Sequence, residues 1–165
     1  MQLFRSTLKF IVCVVWGCYL TGVQAETFFG TVVGIADGDT LTILTALKDQ
    51  HKIRLSEIDA PEKSQPFGSK SKQSLSDLCF GKKAEVIAHT KDRYKRTVAR
   101  VTCAVIDVNA EQVERGMAWV YRRYAKGHGL YVLEHGAKMG KRGLWADSAP
   151  TPPWEWRKNS NVRKI

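Results

Sequence analysis

The sequence predicts an α+β domain, a small closed β-barrel of five strands with its helices set apart from them. Three observations carry that expectation. Three short stretches of strand-like alternation come in succession, then a helical pattern, then two more strands and two helical patterns. The helical patterns are segregated from the strands rather than alternating with them, which suggests a closed barrel over an alternating parallel sheet. The 165 residues, 44% of them hydrophobic, suffice for one core and are too few for two.

The elements follow in order. Thr31–Ile35 and Thr40–Leu44 alternate as strands, separated by the turn sequence Asp37-Gly38-Asp39. Lys52–Ser56 sets Ile53 and Leu55 on one face and Arg54 on the other, completing a meander. A loop with Pro61 and Pro66 leads to Phe67, Ser71, Ser74, Leu75, Leu78 and Cys79 at helical spacing, with Gly81 as the stop. Ala84–His89 and Thr97–Val105 are the next strands, and Ala99, Val101, Cys103 and Val105 share the inward face of the second. Asn109 to Gln112 reads as an N-cap with a reciprocal Gln, and Gly116 ends that short helix. Leu130, Leu133 and Ala137 stripe the last helix, with Gly143 beyond it.

Residues 1–25 stand outside this domain. Arg5 and Lys9 precede the apolar run Phe10–Leu20, and Val23 and Ala25 sit where a signal peptidase reads small residues, before Glu26. The run is shorter than the roughly 18–20 residues a membrane span needs. Export to the periplasm or the medium is therefore expected, without stable membrane association. Trp16 disfavours lipid modification at Cys18. Cleavage after Ala25 leaves 140 residues with a net charge of +8. Cys79 and Cys103 then remain as a pair in an oxidising compartment, which favours a disulfide over two buried thiols.

Charge divides along the chain. Residues 26–62 carry three basic and seven acidic side chains, whereas residues 63–165 carry a net charge of +12. Asp37, Asp39, Asp59 and Glu62 fall in the acidic part, with Arg54 among them, where the meander can bring turn and strand end to one barrel rim. Carboxylate and carbonyl oxygens suit a hard cation such as calcium or magnesium. A cation beside a phosphate, a spare carboxylate as base and arginine forks form a kit for phosphodiester hydrolysis. Arg54 and the cluster Asp92-Arg93-Tyr94-Lys95-Arg96 supply such forks. His51, His89, His128 and His135 are scattered without ligand spacing and are read as surface or core residues.

In Asp37–Thr40, Ile53–Leu55, Ile58–Glu62, Asp92–Arg96, Val113–Gly116 and Gly143–Trp145 the sequence resembles the staphylococcal nuclease (thermonuclease) family. The likeness spans about residues 28–147, within a domain bounded at 26 and 147 and followed by a tail, 148–165. It implies a five-stranded OB-fold barrel with three α-helices, and calcium-dependent cleavage of DNA and RNA to 3′-phosphate ends; separately, a monomer is expected. It further implies Asp39, Asp59 and the carbonyl of Ala60 as calcium ligands, Glu62 as the base, and Arg54 and Arg96 as phosphate clamps. Tyr94, Arg93 and Tyr124 are its implied substrate contacts. Two departures stand out: Ala60 replaces a threonine, and Lys95 stands where a glycine often precedes the arginine. If that turn needs a positive φ, lysine is disfavoured there by about 1 kcal/mol.

Other stretches are weaker. Trp119 to Tyr124 interleaves aromatics with arginines, as a base-stacking surface or a solvated barrel edge does. Trp154 and Trp156 are expected to pack across the domain. Arg157–Ile165, with four basic and no acidic residues, is expected to be disordered and to add nucleic-acid affinity. Two rivals to the nuclease remain at this level. One is an OB-fold module that binds single strands without cutting them. The other is a metal nuclease with a Pro-Asp…(Asp/Glu)-x-Lys site, whose Pro-Asp element this chain lacks.

Overall fold

The computed structural model describes residues 26–162. The expected signal segment, residues 1–25, lies outside them.

Strands β1 (Glu26–Ile35), β2 (Thr40–Leu44) and β3 (Gln50–Leu55) form the meander. A two-residue strand β4 (Ile58–Asp59) and helix α1 (Gly68–Cys79) follow. Next come β5 (Lys83–Lys91), β6 (Thr97–Cys103), the short β7 (Ile106–Asp107) and helix α2 (Val108–Glu114). The described residues end with β8 (Trp119–Val120), α3 (His128–Met139), a 3-10 turn (Gly143–Ala146) and α4 (Pro153–Val162). The sheet order is β3-β2-β1-β5-β6-β7, and parallel pairing of β3 with β6 closes five strands into a barrel. Closure explains why the inward residues Val32, Leu41, Ile43, Ile53, Leu55, Val86, Ala99 and Val101 are all buried. Leu75 and Leu78 of α1, Val108 and Val113 of α2 and Leu130 of α3 join that core.

The structure departs from the sequence reading at four points. The first strand begins at Glu26, because β5 supplies a partner as far as Ala88. β6 ends at Cys103, since Ala104 and Val105 take positive φ in a turn, and Val105 is 96% exposed rather than inward. The N-cap of α2 is Asp107, whose Oδ1 accepts from the Ala110 N–H at 3.1 Å. Asn109 instead lies buried, accepting from Val101 N–H and donating to the Ser56 carbonyl. Among the described residues there are four α-helices rather than three: the stretch from Arg157, read as disordered, is helical through Val162.

Cys79 at the end of α1 and Cys103 at the end of β6 form a disulfide, with Cα atoms 5.5 Å apart and a separation of 24 positions in sequence. A loop of that length confers about 3 kcal/mol on the folded state through the unfolded chain's lost entropy. Reduction is therefore expected to lower the denaturant midpoint by the equivalent of about 3 kcal/mol. Identical denaturation curves with and without reductant would contradict it.

Candidate active site

The site is assembled from three chain segments that meet at one end of the barrel. The Asp37–Asp39 turn joins β1 to β2, and Asp37 Oδ1 accepts from the Asp39 N–H at 3.0 Å. Gly38 lies so close to α1 that a Cβ would come within 1.8 Å of Ser71 Oγ. From the other side, the buried amide of Gln112 donates to the Gly38 carbonyl at 2.7 Å and accepts from Ser74 Oγ. Thus α1 and α2 together fix the turn that presents Asp39.

Asp39 is 5% exposed and Asp59 1%. Asp39 Oδ2 accepts from the Ala60 N–H at 2.7 Å, which ties the turn to the end of β4. Register pairs Thr40 with Arg54 across β2 and β3, so Arg54 arrives between the carboxylates. Its Nε lies 3.2 Å from Asp39 Oδ1, and its Nη2 donates to Asp59 Oδ1 at 2.9 Å. Its Nη1 donates to the carbonyls of Leu55 and Ile58, at 2.6 and 2.9 Å. Arg54 is therefore mainly occupied in spacing the two acids, with an Nη2 proton left for a substrate oxygen. Burial pushes the Asp39 carboxyl up to about 7; Arg54 pulls against this, while Asp37 and Asp59 reinforce it. A buried carboxyl that one arginine does not fully compensate is suited to a further positive charge.

Glu62 follows in the loop to α1, its side chain 40% exposed. Gln65 Oε1 accepts from the Glu62 N–H at 3.1 Å, and the Gln65 N–H donates to the Glu62 carbonyl at 2.9 Å. A Cβ at Gly68 would sit 2.0 Å from that carbonyl, so only glycine lets the loop close against α1.

The β5–β6 turn supplies the fourth group. Asp92 Oδ1 accepts from the N–H groups of Tyr94 and Arg96, at 2.9 and 3.0 Å, and Asp92 Oδ2 accepts from Arg96 Nε at 2.7 Å. Slight burial works the other way, but the Arg96 side-chain and backbone hydrogen bonds hold the Asp92 carboxyl below its ordinary value. Arg96 Nη1 reaches Thr40 Oγ1 at 3.4 Å, and that hydroxyl donates to Asp39 Oδ1 at 3.1 Å. A chain of polar contacts thus runs from Asp92 through Arg96, Thr40, Asp39 and Arg54 to Asp59.

Lys95 in this turn has φ 63°, the conformation its side chain disfavours. Lys95→Gly is expected to raise the unfolding free energy by up to about 1 kcal/mol, measured by thermal or denaturant unfolding. A loss of stability would show that the lysine side chain makes a compensating contact.

Of the residues expected from sequence, Arg54, Asp39, Asp59, Ala60, Glu62 and Arg96 come together. Tyr94 is 66% exposed beside them, with the guanidinium carbons of Arg93 and Arg96 at 5.0 and 5.5 Å from its ring centre. Tyr124 is exposed and packs edge-on against Tyr121, whose ring stacks on Trp154 of α4. Gln112 and Arg157 are additions that sequence reasoning missed. Arg157 Nη2 donates to Asp59 Oδ2 at 2.7 Å and its Nη1 to Glu62 Oε1 at 2.7 Å.

The donor set tests which cation fits. Asp39, Asp59 and the Ala60 backbone offer only oxygen, the choice of a hard divalent ion. Among the described residues no three His, Cys, Asp or Glu side chains converge as a ready-made metal shell. Two carboxylates and a carbonyl, completed by water or phosphate oxygens, are consistent with that. No helix among the described residues is long and apolar enough to cross a membrane.

Comparison with known proteins agrees with this geometry. Residues 52–147 match the family model described as staphylococcal nuclease homologue. The chain is 46% identical over 131 residues to a Haemophilus influenzae protein named an uncharacterized endonuclease, covering 79% of this chain and 74% of that one. It is 39% identical over 144 residues to a Shigella flexneri micrococcal nuclease, covering 81% and 82%. An Escherichia coli O157:H7 protein, also named an uncharacterized endonuclease, is 42% identical over 129 residues, covering 78% and 84%.

Proposed function

The chain belongs to the staphylococcal nuclease family and is a nuclease; on that premise we propose that it is an exported, monomeric, calcium-dependent enzyme that hydrolyses DNA and RNA to 3′-phosphate ends. The observation that carries the reading is the pairing of two buried carboxylates, Asp39 and Asp59, with an accessible third at Glu62 and the guanidinium of Arg96 one hydroxyl away. Export rests on the sequence pattern of residues 1–25.

Asp39, Asp59 and the Ala60 carbonyl would hold the calcium, which when bound polarises the phosphate and helps to orient water. Glu62 accepts the proton of the attacking water as its oxygen bonds to phosphorus. The bond from phosphorus to the 5′ oxygen breaks, so the phosphate stays on the 3′ side. Arg96 faces the negative charge that gathers on the phosphoryl oxygens, and its fork can also donate to the departing 5′ oxygen. Asp92 holds that fork through Nε and Thr40 meets Nη1, which leaves Nη2 to face the substrate. Tyr94 offers an exposed aromatic face beside the two arginines, suited to stacking on a base or sugar.

Digesting DNA and RNA in parallel, with calcium or chelator, tests the proposal. Both polymers are expected to be cut only with calcium, giving fragments whose 3′ ends prime a polymerase only after phosphatase treatment. Untouched RNA, or ends that prime directly, would overturn the respective part.

A further inference from the structure

Helix α4 carries a cation into the group of acids. Arg157 makes three hydrogen bonds there: Nη2 to Asp59 Oδ2 at 2.7 Å, Nη1 to Asp59 Oδ1 at 3.3 Å, and Nη1 to Glu62 Oε1 at 2.7 Å. The helix does not rest on this arginine alone. Trp154 stacks on Tyr121, with ring centres 5.5 Å apart and planes 4° apart, and meets the Trp119 ring edge-on at 5.8 Å. Just before the helix, Gln65 Nε2 donates to the Thr151 carbonyl at 2.6 Å, and Gln65 is the residue that brackets Glu62. The aromatic seat and the Glu62 loop thus hold the guanidinium over two acids of the candidate site. Its charge is permanent at any working pH, so raising the pH does not release those oxygens.

We propose that Arg157 is a built-in counter-ion that competes with the divalent cation for Asp59 while it also pairs with Glu62, so that α4 sets the cation affinity of the site. The inference rests on the cation-dependent reading above. One carboxylate oxygen pair cannot serve a guanidinium fork and a cation equally well, and linkage makes the exchange reciprocal: whatever weakens Arg157's hold strengthens the cation's. Binding is also expected to disturb α4, for which Trp154 is a reporter.

The test is calorimetric titration of the purified protein with calcium chloride, without nucleic acid, alongside its tryptophan fluorescence. Wild type, Arg157→Gln and Lys158→Gln are compared; the last removes the same charge from an exposed neighbour on α4. Arg157→Gln is expected to bind calcium tighter by about fivefold or more, the lower end of ordinary coupling between sites. Lys158→Gln is expected to stay near wild type, and the calcium-induced fluorescence change to shrink in Arg157→Gln. Equal or weaker calcium binding by Arg157→Gln, or an equal gain in both variants, overturns the inference. If neither wild type nor Arg157→Gln binds calcium, the cation-dependent reading itself fails, and that result is distinct from unchanged affinity.

Discussion

Glu62→Gln lowers kcat on DNA by about 10²–10⁴-fold, the range that a positioned general base contributes, while KM and nucleic-acid retention change little. The expectation follows from how Glu62 is held. Its backbone is bracketed by both the side chain and the N–H of Gln65, and neither contact involves the carboxylate. Glutamine has the same length and keeps an oxygen that can accept from Arg157, so the loop has no reason to move. What it loses is the ability to take a proton from water. Near-wild-type turnover would remove Glu62 from the base role and direct attention to another acid.

Arg96→Ala is expected to lower kcat/KM by about 10²–10³-fold, the usual effect of removing one donor aimed at transition-state charge. Arg96→Lys should recover only part of that loss, because an ammonium keeps the charge but not the fork that spans Asp92 and Thr40. Asp92 still accepts from the backbone N–H groups of residues 94 and 96 in either variant, so the turn is expected to persist. Circular dichroism and the unfolding midpoint check this. Full activity in the alanine variant would mean that Arg54 alone meets the phosphate.

The barrel was legible because strand alternation is a local signal: Ile53 and Leu55 against Arg54 fix both the core face and the side from which Arg54 enters the site. The acids and Arg96 were legible because turns and strand ends set them at fixed spacings. The rest depends on contacts that no spacing encodes. Asn109 looks like a helix cap in sequence, but the preceding Asp107 caps the helix while Asn109 bridges Val101 and Ser56 inside the fold. Gln112 looks like the other half of a capping box, yet it is fully buried and holds the Gly38 carbonyl 74 positions away. Its one readable signal is an amide on the apolar side of a short helix. Arg157 gave less warning still. Four basic residues after a proline-rich stretch read as a solvated tail, whereas Trp154 docks α4 and turns one of those charges onto Asp59.

The central claim is that the Asp39–Asp59–Glu62 group cuts nucleic acid with the help of a divalent cation. Incubation of the wild-type protein with plasmid and single-stranded DNA, in calcium or in chelator, tests it most directly on a gel. Fragmentation of both substrates in calcium and intact DNA in chelator is the predicted result. DNA that is retarded but uncut under both conditions would contradict it, and the barrel would then be a surface for binding strands.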